Sequence, residues 1–363
     1  MSTVFFTGFP GFLGTALLPR VLRRSADLEA VCLVQQRFLP QAQTGLTELT
    51  ASDPSLTDRI RLVVGDITVP DLGLGEQRQD LLATTSQIHH LAAAYDLEVS
   101  REVGMRVNVE GTRHLLEFAK ACEDLQRFHY VSTCYVSGRY AGVFRESDLV
   151  KGQVFNNFYE ETKYLAEVLV QEAREAGLPT TVYRPAVVGG DSATGETQKY
   201  DGPYVIIRWL LKQPKTAVLP IIGDPTGYRF NVVPRDWVID AIDHLAARDD
   251  TVGGTYALAD PEPHTVDEMI RRLGEATGRR IVRIPLPLKV AKGALRRVPG
   301  LQKLMEIPPA AANYFTQPTH YTTDATSPLL AEEGVALPDR EAWLRAMVRF
   351  VEANPDITSA AMV

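Results

Sequence analysis

Short apolar runs and longer stretches of helical period take turns through the first half of the chain. Val4-Phe5-Phe6-Thr7 is apolar without alternation, which predicts a strand buried on both faces. Residues 12–24 repeat Leu13, Leu17, Leu18, Val21 and Leu22 at helical spacing, and Pro19 is expected to bend or shorten that helix. Further buried strands are expected at 30–34, 60–64, 88–93, 128–131 and 180–183. Helices are expected at 103–122 and 156–176, the second closed by Gly177. Residues 41–58 are polar and turn-rich, an excursion with some helix. Strands alternating with helices in this way imply right-handed βαβ units and a parallel sheet covered on both faces. Ligands on such sheets bind at the carboxyl ends of the strands.

After Pro185 the regularity falls, and Gly189-Gly190-Asp191, Gly195, Gly202-Pro203 and Pro214 punctuate the chain. Helices are still expected at 205–211, 237–247 and 341–353, and a late strand at 254–258. Thr265 with Glu268 three residues on has capping-box spacing and predicts another helix start. At 363 residues the chain exceeds the roughly 250–300 at which a single core stops growing. The expectation is an α/β doubly wound sheet domain over 1–188, with late elements from 228–258. A smaller, mostly helical substrate lobe is expected over 189–363.

Charge and composition narrow the classes. Lys and Arg number 38 against 45 Asp and Glu, a net charge of -7, which argues against a nucleic-acid binder. Cys32, Cys122 and Cys134 are too scattered for a disulfide framework, and no CxxC pair suggests zinc. They read as small buried hydrophobes of a reducing compartment. His89, His90 and His114 lack metal-type spacing and read as packing residues. Met1-Ser2-Thr3 has no basic n-region, and no long apolar run occurs, so neither a signal peptide nor a transmembrane helix is expected and the location is expected to be cytoplasmic.

Chemistry concentrates at three places. Thr7-Gly8-Phe9-Pro10-Gly11-Phe12-Leu13-Gly14 sets three glycines between a strand and a helix, which suits a dinucleotide pyrophosphate. The second strand ends Leu33-Val34-Gln35-Gln36-Arg37 with no acid to hold a ribose 2′-hydroxyl, and Arg37 is placed to meet a 2′-phosphate, so NADP(H) is the expected cofactor. Asp66-Ile67, after the third strand, is placed to flank the adenine. Ser132-Thr133 follows the fifth strand at the same crevice. Tyr159 and Lys163 share one helix face at i and i+4, where the ammonium is expected to lower the phenol from its usual pKa of about 10. A hydroxyl, a phenol and an ammonium around one carbonyl make an acid–base site.

With these residues the sequence resembles the extended short-chain dehydrogenases/reductases, and within them the male-sterility-type NAD-binding branch, which holds fatty acyl-CoA reductases and thioester-reductase domains. The matching stretches are the glycine turn, Gly65-Asp66-Ile67-Thr68, His90-Leu91-Ala92-Ala93 and Asn108-Val109-Glu110-Gly111-Thr112. Tyr159 to Glu167 and Tyr183-Arg184-Pro185-Ala186-Val187-Val188-Gly189 continue the match, as do Asp191 to Gly195, Asp201 to Tyr204 and Val233 to Val238. The resemblance implies a Rossmann-type fold and Thr133, Tyr159 and Lys163 as the catalytic set. It adds Leu91, Ala92, Ala93, Asn108, Pro185, Ala186, Val187 and Val188 to the dinucleotide contacts, and Lys163 to the ribose. Many relatives carry arginine where this chain has Gln35, so the phosphate contact passes to Arg37 or is weakened.

The activity so implied is reduction of an acyl thioester, on CoA or a carrier protein, to an aldehyde or onward to an alcohol. A reductase of free carbonyls or hydroxysteroids, a nucleotide-sugar epimerase or dehydratase, and a silent NADP-binding regulator are the alternatives. The chain is expected as a monomer or homodimer, with peripheral membrane contact open. The cationic stretch 286–305, with Lys289, Lys292, Arg296, Arg297 and Lys303, reads as a surface helix on the lobe or as a cover for an acyl chain. Pro287 and Pro299 interrupt it and favour the first.

Overall fold

A computed structural model of the chain describes residues 2–222, 224–286 and 311–357. Seven strands build one parallel sheet. In chain order they are β1 (Ser2–Thr7), β2 (Leu28–Val34), β3 (Ile60–Val64), β4 (Thr85–His90) and β5 (Arg127–Val131), then, after β6 (Gly142–Phe144), β7 (Thr180–Pro185). The seventh member, β11 (Thr255–Leu258), follows β8 (Val187–Gly189), β9 (Thr216–Ile222) and β10 (Val232–Pro234). The order across the sheet is β3-β2-β1-β4-β5-β7-β11. It reverses between β1 and β4, which opens a crevice at their carboxyl ends.

Alternation along β1 explains its fully apolar run. Val4 and Phe6 enter a core with α1 (Phe12–Arg23). Phe5 enters a second core on the other face. Each such ring contributes about 1.5–3 kcal/mol on burial. The helix α1 runs through buried Pro19 to Arg23, so the expected shortening is a single residue. The excursion after β2 is ordered as α2 (Leu39–Ser52), and α3 (Gln77–Thr84) precedes β4.

Two boundaries differ from expectation. The fourth strand stops at His90 rather than residue 93. Leu91 still donates to Thr7 O at 3.2 Å, but residues 91–94 then leave the sheet and floor the crevice. The expected helix 103–122 is split into α4 (Arg101–Gly104), a π turn (Met105–Glu110) and α5 (Gly111–Ala121). A π turn widens the helix by one residue per turn, a distortion frequent beside functional sites.

The helix α6 (Phe158–Glu175) starts where Asn157 accepts from Glu160 N at 3.0 Å. The later chain serves both parts of the molecule. α8 (Arg235–Ala247) packs on the sheet side, against α1. α7 (Pro203–Leu211), α9 (Val266–Thr277) and, after α10 (Thr326–Glu332), α11 (Arg340–Ala353) enclose a third core. The capping box of Thr265 and Glu268 is present at the start of α9. Three two-stranded parallel ribbons were not expected: β8 with β10, β9 with β12 (Arg280–Leu286), and β6 with β13 (Thr319–Tyr321). No helix among the described residues is long and apolar enough to cross a membrane. The stretch 286–305 lies, beyond its first residue, outside the described residues.

Three histidines on β4 and β5 give the fold a pH dependence. His89, His90 and His129 are buried, and His89 stacks on His129 at 4.1 Å. Burial pushes all three below the usual imidazole value, His90 to about 3, and nearby Arg24 and Arg127 or Lys163 add to the effect. The folded chain keeps them neutral, while unfolded imidazoles take up protons below about pH 6.5. Their contribution is therefore whole above pH 6.5 and is lost as pH falls below it. Unfolding free energy should drop by up to about 4 kcal/mol per pH unit from three such groups. Urea midpoints across pH 7 to 4.5 measure this, and a flat profile would refute it.

Candidate active site

The carboxyl ends of β1, β2, β4, β5 and β7 open into one cavity of about 1010 Å³. The whole glycine turn lines it, with Arg37, Asp66, Ile67, Leu91, Ala92 and Ala93. Thr133, Tyr159, Lys163 and Pro185 to Val188 line the same cavity.

The glycine turn is packed too tightly for side chains. A Cβ on Gly14 would stand 2.3 Å from Gly8 O, and one on Gly8 2.9 Å from Ala92 N. Gly8 also takes a φ of +95°, which disfavours other residues. Gly11 precedes α1 with no side-chain cap hydrogen bond, and the helix start lines the cavity. A bare helix N-terminus over backbone without Cβ atoms fits a pyrophosphate.

At the end of β2, Arg37 Nε donates to Gln35 Oε1 at 2.9 Å, and the guanidinium lies 4.6 Å over the Phe38 ring. Asp66 accepts from Thr68 N at 2.8 Å. Burial opposes ionisation of Asp66, but the bonds from Thr68 and Gln35 and the charge of Arg37 outweigh it, and the carboxyl sits below its usual range. Gln35 therefore joins Arg37 to Asp66 across the pocket edge, a link the sequence did not reveal.

Asn108, expected among the dinucleotide contacts, is buried and is not among the residues that line the cavity. Its side chain accepts from Ala94 N at 2.8 Å and donates to Ala94 O at 3.1 Å and Thr162 Oγ1 at 3.0 Å. It clamps the crevice floor to α6 from behind. A buried chain continues from it. Thr112 gives its proton to Asn108 O at 2.6 Å and so accepts from His90 Nε2 at 3.0 Å. His90 Nδ1, as the neutral ring's acceptor, then takes the Thr7 hydroxyl proton at 2.8 Å.

The catalytic candidates meet beyond β5. Ser132 also lines the cavity, but its hydroxyl donates to Glu167. Thr133 faces the cavity, donates to Pro185 O at 3.3 Å, accepts from Tyr135 N at 3.2 Å, and hydrogen-bonds the Tyr159 phenol. Lys163 is buried and donates to Tyr130 Oη at 2.9 Å and Val131 O at 2.8 Å. Burial brings Lys163 down to about 7, against the pull of Glu167. The expected lowering of the phenol by Lys163 is not found. Burial pushes Tyr159 up to about 12, Glu160 and Tyr95 add to this, and the Thr133 bond opposes it. The lysine directs two N–H groups to β5 and burial works against its charge, so the phenol keeps its proton.

The rest of the cavity wall was not legible beforehand. Tyr95, Tyr135, Tyr200, Phe230, Tyr314 and Phe315 line it, with Lys199 4.2 Å over the Tyr95 ring. They come from loops and from 3₁₀ turns, where no periodicity marks an inward face. No group of three metal-ligating side chains occurs among the described residues.

Known proteins match this arrangement. The family model described as Male sterility protein matches residues 6–242. Glycine betaine reductase ATRR of Emericella nidulans is 29% identical over 295 residues, 76% of this chain and 22% of that protein. Fatty acyl-CoA reductase wat of Drosophila melanogaster is 24% identical over 277 residues, 66% of this chain and 53% of that protein. The chain thus spans only part of each relative. Among solved structures, the terminal R domain from the myxalamid PKS-NRPS biosynthetic pathway superposes with a TM-score of 0.81 at 27% identity, covering 99% of this chain and 93% of that one. UDP-glucuronic acid 4-epimerase from Bacillus cereus, in complex with NAD, shares the fold with a TM-score of 0.66 at 19% identity, covering 97% and 99%.

Proposed function

The chain belongs to the Male sterility protein family of dinucleotide-binding proteins, and on that premise we propose that it is an NADPH-dependent reductase of acyl thioesters. The observation that carries this is the Thr133–Tyr159 hydrogen bond, set in the same cavity as the glycine turn. The names of the relatives, a fatty acyl-CoA reductase and a terminal R domain, support thioester as the substrate class.

The backbone of Gly8, Gly11 and Gly14 would hold the pyrophosphate, Asp66 and Ile67 the adenine side, and Lys163 the ribose. The bound dinucleotide supplies hydride to the thioester carbonyl carbon. Thr133 orients the carbonyl oxygen, and Tyr159, held protonated, donates to it as charge develops there. The hemithioacetal then breaks its C–S bond. Its hydroxyl proton passes back to Tyr159, and the thiolate leaves with a proton from solvent. The balance is one thioester, one NADPH and one proton giving aldehyde, thiol and NADP⁺. The same residues serve a second reduction to the alcohol. Acyl-CoA and carrier-bound acyl groups share the reacting thioester.

Purified protein with NADPH against a panel of acyl-CoAs and aldehydes, followed at 340 nm with product identification, tests this. NADPH oxidation with thioesters is expected. Oxidation with aldehydes and never with thioesters would overturn it. For the cofactor, Arg37→Ala should raise the NADPH KM by about tenfold, as loss of a charge-assisted phosphate contact would. The NADH KM should hardly move, and equal effects on both would remove Arg37 from the phosphate site.

A further inference from the structure

Glu160 follows the candidate acid Tyr159 directly, and it is fully buried. Its carboxylate accepts from Asn156 N at 2.8 Å, from Asn156 Nδ2 at 3.0 Å, and from the Tyr314 hydroxyl. These partners are neutral donors, not a cation. A buried carboxylate held this way is costly to keep, so what it arranges matters.

What it arranges is a wall of the cavity. Tyr314 lines that cavity, and its hydroxyl also accepts from Asn157 Nδ2 at 3.1 Å. Its ring meets Tyr135 edge-on, with centroids 4.7 Å apart at 83°. Tyr135 lines the cavity too, two residues after Thr133. Arg139 ties the same corner, donating to Asn156 Oδ1 at 3.2 Å and Thr316 O at 3.4 Å. The first turn of α6 is therefore joined to residues 311–316, which come from the far end of the sequence.

We propose that Glu160 is a positioning residue for the acyl group: it seats the Tyr314 hydroxyl and so fixes Tyr135 and Tyr314 as the aromatic wall beside Thr133 and Tyr159. The proposal rests on the reductase function given above. A carboxylate suits the task because both oxygens accept. Glutamine would turn an NH₂ toward donors already committed, at nearly the same size. Tyr314→Phe removes only the hydroxyl from the other end of the same bond.

The test takes Glu160→Gln, Tyr314→Phe and the double variant, each checked for native unfolding. Initial rates are read against acyl-CoA at saturating NADPH, and against NADPH at saturating acyl-CoA. Each single variant should raise the acyl-CoA KM about tenfold, the loss expected when one buried charge-assisted bond goes. The NADPH KM should stay within about twofold, and the double variant should add little to either single, since both break one bond. Equal rises in both KM values, fully additive effects, or no change would overturn the proposal. If the unmodified protein turns over aldehydes alone, the thioester function fails separately. The same KM comparison, run with the aldehyde, still decides the role of Glu160.

Discussion

Tyr159→Phe should lower kcat by about 10²- to 10⁴-fold, the range for removing a general acid. The NADPH KM should stay within about twofold, because the phenol donates in the reaction and does not carry the dinucleotide. The structure makes the expectation sharp. Burial and the neighbouring Glu160 hold the phenol up at about 12, so Tyr159 is a proton donor across the physiological range. The ring is half-buried at the cavity wall and phenylalanine keeps its packing, so loss of fold does not confuse the result. Single-turnover rates with NADPH measure it. An unchanged rate would remove Tyr159 from the chemistry and leave Thr133 as the proton source.

Arg184→Ala should cost about 3–5 kcal/mol of stability, the usual penalty for stranding a buried charge. Arg184 Nε and Nη2 both reach Glu167 Oε1, at 2.9 and 2.5 Å, and Nη1 reaches Glu146 O at 3.2 Å. The pair is buried at both ends. Removing the guanidinium leaves the Glu167 carboxylate with only Ser132 as a partner among these groups. Ser132 adjoins Thr133, so the damage should reach catalysis as well. Urea unfolding gives the loss, and Arg184→Met with Glu167→Leu should recover most of it, because two apolar groups need no partner. A single variant as stable as the parent would refute this.

The sheet and the glycine turn were legible because period and spacing are local. The apolar run at Val4–Phe6 and the three glycines state their structure within a few residues. Thr133 was separable from Ser132 only through the resemblance, and the structure gives the physical reason: Ser132 is claimed by Glu167. The phenol was misjudged because i, i+4 spacing fixes Cα positions and not side-chain direction. Lys163 points back to Tyr130 and Val131 on β5. The clamp made by Asn108 was invisible for a similar reason, since a π turn and a bond to Ala94 are tertiary events. The aromatic wall was invisible because Tyr135 and Tyr314 meet across about half of the chain.

The place of β11 bears on how the protein must be made. β7 has β5 on one side and β11 on the other, yet β11 is translated only after the whole excursion from residue 187 to 254. Until β11 arrives, the strand Thr180–Pro185 lacks its partner on that side and keeps unpaired backbone groups there. Such an edge pairs readily with another nascent copy. Docking of β11 is therefore the step that closes the edge at which two partly made copies could meet.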